Sequence, residues 1–200
     1  MTIFLARLRI ILAASLIALS SSASLAIEPS KTEPSTVTFS EMQYFHRWSQ
    51  GEQHEFTPQG QEDLKHWSDM VTINYYRSVK DGDGLAAIAN SVLEKYKAHR
   101  AIVVKTDATP RTPTKPAEYL TVVMLGQPDS IEAVFARFKI VDGVALSVIY
   151  SHRMYGKKIG NEMSAWLQKN GPVTQKALMS MDNIPLLEET KKQSGEVPLN

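Results

Sequence analysis

Apolar and polar positions along this chain repeat at two periods, and the switches between them mark the expected elements. Leu85, Ile88, Ala89, Val92, Leu93 and Tyr96 recur at intervals of three and four, which predicts an amphipathic helix over residues 84–98 with Asp83 as its cap. Residues 70–77 alternate instead, with Val71, Ile73 and Tyr75 on one face and Thr72, Asn74 and Tyr76 on the other, so they read as a strand. Upstream, residues 37–48 and 53–56 read as extended around the turn Ser49-Gln50-Gly51-Glu52. Thr57-Pro58 is expected to open a short helix that places Leu64 and Trp67 on one side. Residues 102–105 form a further strand, and Pro110, Pro113 and Pro116 make residues 106–117 an irregular loop.

Three more strands follow, over residues 119–125, 131–140 and 144–152, and they form an antiparallel meander. Asp142-Gly143 is the signature of a two-residue hairpin, whose central residues both need positive φ. That loop sets the register. Phe138 falls opposite Ser147, Ala136 opposite Ile149, Ala133 opposite His152 and Glu132 opposite Arg153. Val134, Ala136, Phe138, Ile140, Ala145 and Ile149 then share an apolar face, while Phe135, Arg137, Lys139, Val148, Tyr150 and His152 share a mixed one. A helix over residues 161–170 turns Met163, Trp166 and Leu167 inward and stops at Gly171-Pro172, and a second short helix runs through Ala177 and Leu178. The expected class is α+β: an antiparallel sheet with a C-terminal meander, flanked by helices.

The N-terminus changes the picture. Arg7 and Arg9, the apolar stretch of residues 10–19 and the small cluster Ser20-Ser21-Ser22-Ala23-Ser24 follow the order of a cleavable export signal. Ser24 and Ala26 fit a cut after Ala26, with a cut after Ala23 as the competitor. The apolar core falls short of the roughly 20 residues of a spanning helix, and no later segment reaches that length. The expected organisation is therefore a signal peptide over 1–26, a flexible leader over 27–37, a single α+β domain over 38–181 and a flexible tail over 182–200. The expected compartment is the periplasm, with secretion beyond it as the alternative.

Charge and cysteine content narrow the chemistry. Removing residues 1–26 takes away two arginines and no acid, which leaves 20 basic against 21 acidic side chains and a charge near −1. Nothing in that balance draws the chain to nucleic acid. The absence of cysteine excludes disulfides, thiolate metal sites, a Cys nucleophile and a lipidated Cys.

Among candidate residues, Tyr150-Ser151-His152-Arg153-Met154-Tyr155-Gly156-Lys157-Lys158 is the densest polar patch and leads toward a helix N-terminus, a place that favours an anion. Arg137, Tyr150, His152 and Arg153 are the ligand-binding candidates, against the plainer alternative that Arg153 pairs with Glu132. His46, His54 and Glu55 form an alternative metal set if Glu55 lies opposite His46 across the first hairpin. His54-Glu55 lacks the second histidine of a metalloprotease helix, since position 58 is proline. Asp81-Gly82-Asp83-Gly84 begins like a calcium loop, but its twelfth position is Val92, so a turn with a cap is the better reading. Met179-Ser180-Met181 reads as core packing. No cofactor is expected, and no nucleophile elbow, phosphate loop or dinucleotide fingerprint is present.

The stretch Trp67-Ser68-Asp69-Met70-Val71-Thr72-Ile73-Asn74, the helix over residues 85–96, and Ala136-Arg137-Phe138 leading to residues 150–156 resemble small exported proteins of Gram-negative bacteria and, more remotely, Mog1/PsbP-like domains. The resemblance implies an antiparallel sheet flanked by helices that serves as an accessory or binding module, and it transfers no catalytic residue. The expected function is a non-catalytic periplasmic module for a small ligand or an envelope protein. The alternative is a small hydrolase or metal-dependent enzyme that uses its histidines.

Overall fold

The computed structural model describes residues 36–185, all within the unit Glu33–Asn200. The expected signal peptide, leader residues 27–35 and tail residues 186–200 lie outside the described residues. The elements are β1 (Thr36–Phe39), β2 (Met42–Gln50), β3 (Gln53–Pro58), β4 (Asp69–Tyr76), α1 (Gly82–Ala98), β5 (Ile102–Thr109), β6 (Glu118–Gly126), β7 (Ser130–Val141), β8 (Val144–Tyr155) and α2 (Gly160–Met179). The fold is α+β. The eight described strands form one antiparallel sheet in the order β1-β2-β3-β4-β8-β7-β6-β5.

Two runs of local hairpins build this order. β1 to β4 add strand by strand, α1 then carries the chain across the sheet, and β5 starts at the far edge. The meander β5 to β8 returns until β8 pairs with β4, from Asp69 opposite His152 to Tyr76 opposite Ala145. Asp142 and Gly143 both take positive φ, 50° and 75°, and the β7–β8 register is the one the sequence predicts. Gly143 supplies the left-handed conformation at little steric cost.

Each face of the sheet has its own helix. α2 packs on β7 and β8, where its Met163 and Leu178 join Phe56, Val71, Ile73, Phe135, Val148 and Tyr150 in one core. α1 covers Ala136, Phe138 and Ala145 with Leu85 and Ala89. Each large side chain so buried contributes about 1.5–3 kcal/mol. The face expected to be mixed is thus the principal core face, because α2 supplies the cover that the strands alone do not reveal.

Several elements differ from expectation, each for a local reason. Residues 37–48 are two strands, since Ser40 and Glu41 take positive φ, 48° and 65°, and turn the chain without a glycine to announce it. Thr57-Pro58 ends β3 and starts no helix: Arg47 donates to Thr57 Oγ1, Pro58 O and Glu62 and ties the segment to β2. Asp81 caps α1 in place of Asp83, its Oδ1 accepting from Gly84 N at 2.8 Å. β5 runs four residues beyond 105, paired to β6 as far as Thr109.

Gly171-Pro172 does not stop the C-terminal helix. One helix spans both expected pieces, with Pro172 inside it and Met163, Thr174 and Leu178 buried along its length. Packing along the sheet outweighs the bond that proline removes. Val37 in β1, and Met181 and Ile184 beyond α2, are buried in the core, so the packed unit reaches past 38–181 at both ends.

Candidate functional site

The four ligand-binding candidates do not converge. Alternation along β8 sends Tyr150 and His152 to the α2 face and Arg153 to the opposite one. Arg153 is only 8% exposed; it donates to Glu132 Oε2 from Nη2 at 2.7 Å and from Nε at 3.2 Å, and its guanidinium lies 3.9 Å from the Trp67 ring centre. Burial works to lower its pKa, but the Glu132 charge and hydrogen bonds raise it above the usual arginine value. Glu132 sits directly opposite on β7, so the plainer cross-strand pairing is the observed one.

Arg137 shares the α2 face with Tyr150 and His152 but serves the helix end. Its side chain is 3% exposed. Nη1 donates to the carbonyls of Leu178 and Met181 at 2.9 and 2.8 Å, and Nε and Nη2 reach Glu118 Oε2 at 2.7 Å. Leu178 O belongs to the last turn of α2, where it also accepts from Met181 N, and Met181 O follows just beyond the helix; a cation there also suits the helix dipole. Arg137 is thus an internal C-terminal cap for α2.

Tyr150 and His152 do meet, through a residue that the sequence pattern places only at a strand boundary. Asp69 Oδ1 accepts from Tyr150 Oη at 2.7 Å and bonds His152 Nδ1 at 2.9 Å. Burial pushes the Asp69 carboxyl up, but the bonds from His152 and Tyr150, helped by the His152 charge and Gln61, hold it below the usual range. An ionised carboxylate only accepts, so Nδ1 carries the proton in this pair. Burial, and then Asp69, raise the Tyr150 hydroxyl far above its ordinary value, so it stays a donor.

Trp166 of α2 stacks on the His152 ring at 4.1 Å and 7°, and Phe39 of β1 packs on Tyr150 at 4.7 Å. The cluster therefore ties β1, β4, β8 and α2 together. His152 and Asp69 keep 15% and 22% of their side-chain surface exposed, enough to present a polar edge. Asp69 and Trp166 carried no signal as partners, since the β4–β8 register spans a long stretch of intervening chain and no local pattern encodes it.

In the first hairpin His46 and His54 approach, with ring centres 5.7 Å apart. Glu55 stands opposite Trp48 and not His46, because a bulge between His46 and Trp48 shifts the pairing. Adjacent strand positions also send His54 and Glu55 to opposite faces. Among the described residues no three or more His, Asp or Glu side chains are grouped to hold a metal ion.

Every residue of β5 is exposed, including Ile102, Val103 and Val104 at 61%, 38% and 47%. Among the described strands only β6 pairs with it, so its outer edge offers a row of backbone donors and acceptors. A groove of about 150 Å³ runs beside it, lined by Asp107, Ala108, Thr109, Leu120, Gln175 and Met179. The sequence signal for this edge was a three-residue β-branched run whose surroundings remained open until the strand order was known.

Residues 32–184 match the model of a protein family, a span that takes in every described element. The chain belongs to that family. Among the solved structures similar to it are two of Mog1 proteins. The Ran-binding protein Mog1p of Saccharomyces cerevisiae is 9% identical, with 69% of this chain and 84% of that one covered and a TM-score of 0.44. A mutant of protein Mog1 is 8% identical, with 75% and 84% covered and a TM-score of 0.40. No curated protein matches the sequence. Among the described residues no helix is long and apolar enough to cross a membrane.

Proposed function

We propose that the chain is an exported, non-catalytic binding module that works in the periplasm on an envelope protein, and that it binds with the edge strand β5. The carrying observation is a contrast. Arg137 and Arg153 spend their guanidinium groups on internal partners and His152 gives Nδ1 to Asp69, while β5 is exposed along its whole length and holds three exposed β-branched apolar residues. An edge of this kind takes up an extended segment through main-chain bonds, with side chains adding selectivity. The adjoining groove is smaller than the roughly 300–1,000 Å³ of a small-molecule pocket, which favours a protein partner over a small ligand. Export rests on the basic, apolar and small segments of residues 1–26.

The test places a photo-reactive residue at position 102 on β5 or at position 173 on α2, where Val173 is as exposed as Ile102. A cross-linked adduct from position 102 and none from 173 is expected in the periplasmic fraction. Equal or absent adducts overturn the edge assignment. Mass analysis of the same material is expected to give Ile27 as the first residue, and an uncleaved cytoplasmic chain overturns export.

A second reading rests on the Asp69–His152 pair, in which a carboxylate orients an imidazole as it does for a general base. Hydrolysis of generic esters or phosphoesters that disappears in His152→Gln would support it. Ser151, the neighbouring hydroxyl in sequence, faces the other side of the sheet and cannot serve as its nucleophile.

A further inference from the structure

Accepting β5 as the binding edge, we infer that the envelope protein it takes up is a second copy of this chain, the two β5 strands paired antiparallel about a two-fold axis through Thr106. The sequence Val104-Lys105-Thr106-Asp107-Ala108 is complementary to itself. A two-fold axis perpendicular to the sheet keeps each side chain on its own face, so a residue on the axis must meet its own copy. With Thr106 there, Lys105 stands opposite Asp107 of the second copy and Asp107 opposite its Lys105, while Val104 meets Ala108.

Sliding the partner by two residues in either sense places Lys105 against Lys105 or Asp107 against Asp107. Like charges directly opposite oppose pairing, so the charges select one register. A lysine on an edge strand ordinarily blunts pairing. Here Asp107 two residues on converts that block into a specificity device, since only one alignment neutralises both lysines.

The geometry of β5 agrees. Its irregularity lies between Val103 and Lys105, and from Lys105 to Thr109 the pairing with β6 is regular, which leaves a straight edge where the charges fall. Lys105 Nζ lies 3.0 Å from Asp107 Oδ2 and 3.2 Å from Gln175 Oε1, so the two charges already sit on one face of the strand. Both are about half exposed; Asp107 Oδ1 also accepts from Ala108 N at 2.9 Å, and pairing across the axis exchanges these contacts within the strand for ones to the second copy.

The test uses the mature chain and its mass in solution across a dilution series. The wild type is expected to be a dimer, and Lys105→Asp and Asp107→Lys each to be monomers, since each places two like-charge pairs at the axis. An equimolar mixture of the two variants is expected to recover the dimer, because one then carries only acids and the other only lysines at these positions. A monomeric wild type, a dimeric single variant or a mixture that stays monomeric overturns the inference. Thr106→Cys gives an otherwise cysteine-free chain a single thiol on the axis; mild oxidation is expected to link it to its copy, and failure to link it counts against the register even if a charge variant does not fold. If the chain is a monomer while position 102 cross-links to another protein, the second copy falls and the edge reading stands. If position 102 cross-links to nothing, both fall.

Discussion

The two edges of the eight-stranded sheet are finished in opposite ways. β1 is four residues long, turns sharply at Ser40-Glu41 and buries Val37 and Phe39, with Phe39 against Tyr150 and Tyr44. β5 is twice as long and buries nothing. A short edge strand whose side chains belong to the core is a poor template for another chain, whereas a long one with exposed β-branched residues is a good one. The difference teaches that one edge is part of the core's construction and the other is surface for use.

The strongest way to break that comparison is to remove the core anchor of β1. Phe39→Ala is expected to cost about 4 kcal/mol in urea unfolding of the chain from residue 27 onward, as cavity formation does for a buried Phe. Arg137→Ala is expected to cost about 3 kcal/mol by the same measurement, because it strands Glu118 and two carbonyls at the end of α2. Arg137→Lys should recover only part of this, since one ammonium cannot reproduce the planar fork.

Acid sharpens the comparison at the cluster next to β1. The Asp69 carboxyl has a lowered folded pKa, so its contribution is fully present above the usual carboxylate value and is lost as pH falls through the folded one. Asp69→Asn is expected to remove about 1.5 kcal/mol at neutral pH and to flatten that part of the acid limb. A stability profile from pH 7 downward checks both. The smallest effect belongs to the open edge: Ile102→Ser should shift the unfolding free energy of the dilute chain by under about 0.5 kcal/mol. A loss as large as that of Phe39→Ala would erase the distinction between the edges.

Legibility followed sequence distance. The β7–β8 hairpin was readable residue by residue, down to Glu132 opposite Arg153, because Asp142-Gly143 fixes a local register and the alternation fixes the faces. The Ser40-Glu41 turn was not readable, since both residues hold a conformation normally left to Gly, Asn or Asp. Pro172 misled for a related reason: the local preference to end a helix is real, but Met163 and Leu178 on either side of it are both buried on the same sheet face. At the candidate site, the pairing of Tyr150 with His152 follows from period-two alternation, and the same rule sends Arg153, one position on, to the other face. Asp69 and Trp166 come from β4 and α2, and no spacing along the chain links them to β8.

What the sequence by itself determined is what short-range physics controls: the α1 stripe, the meander and its turn, and which side chains share a face. Tertiary structure decided the rest. The β4–β8 junction placed Asp69 against Tyr150 and His152, α2 turned a mixed face into the main core and claimed Arg137 as its cap, and the strand order put β5 at an edge. These are non-local pairings, set by which buried surfaces and unpaired polar groups find cover, and that competition is settled only when the whole sheet has assembled.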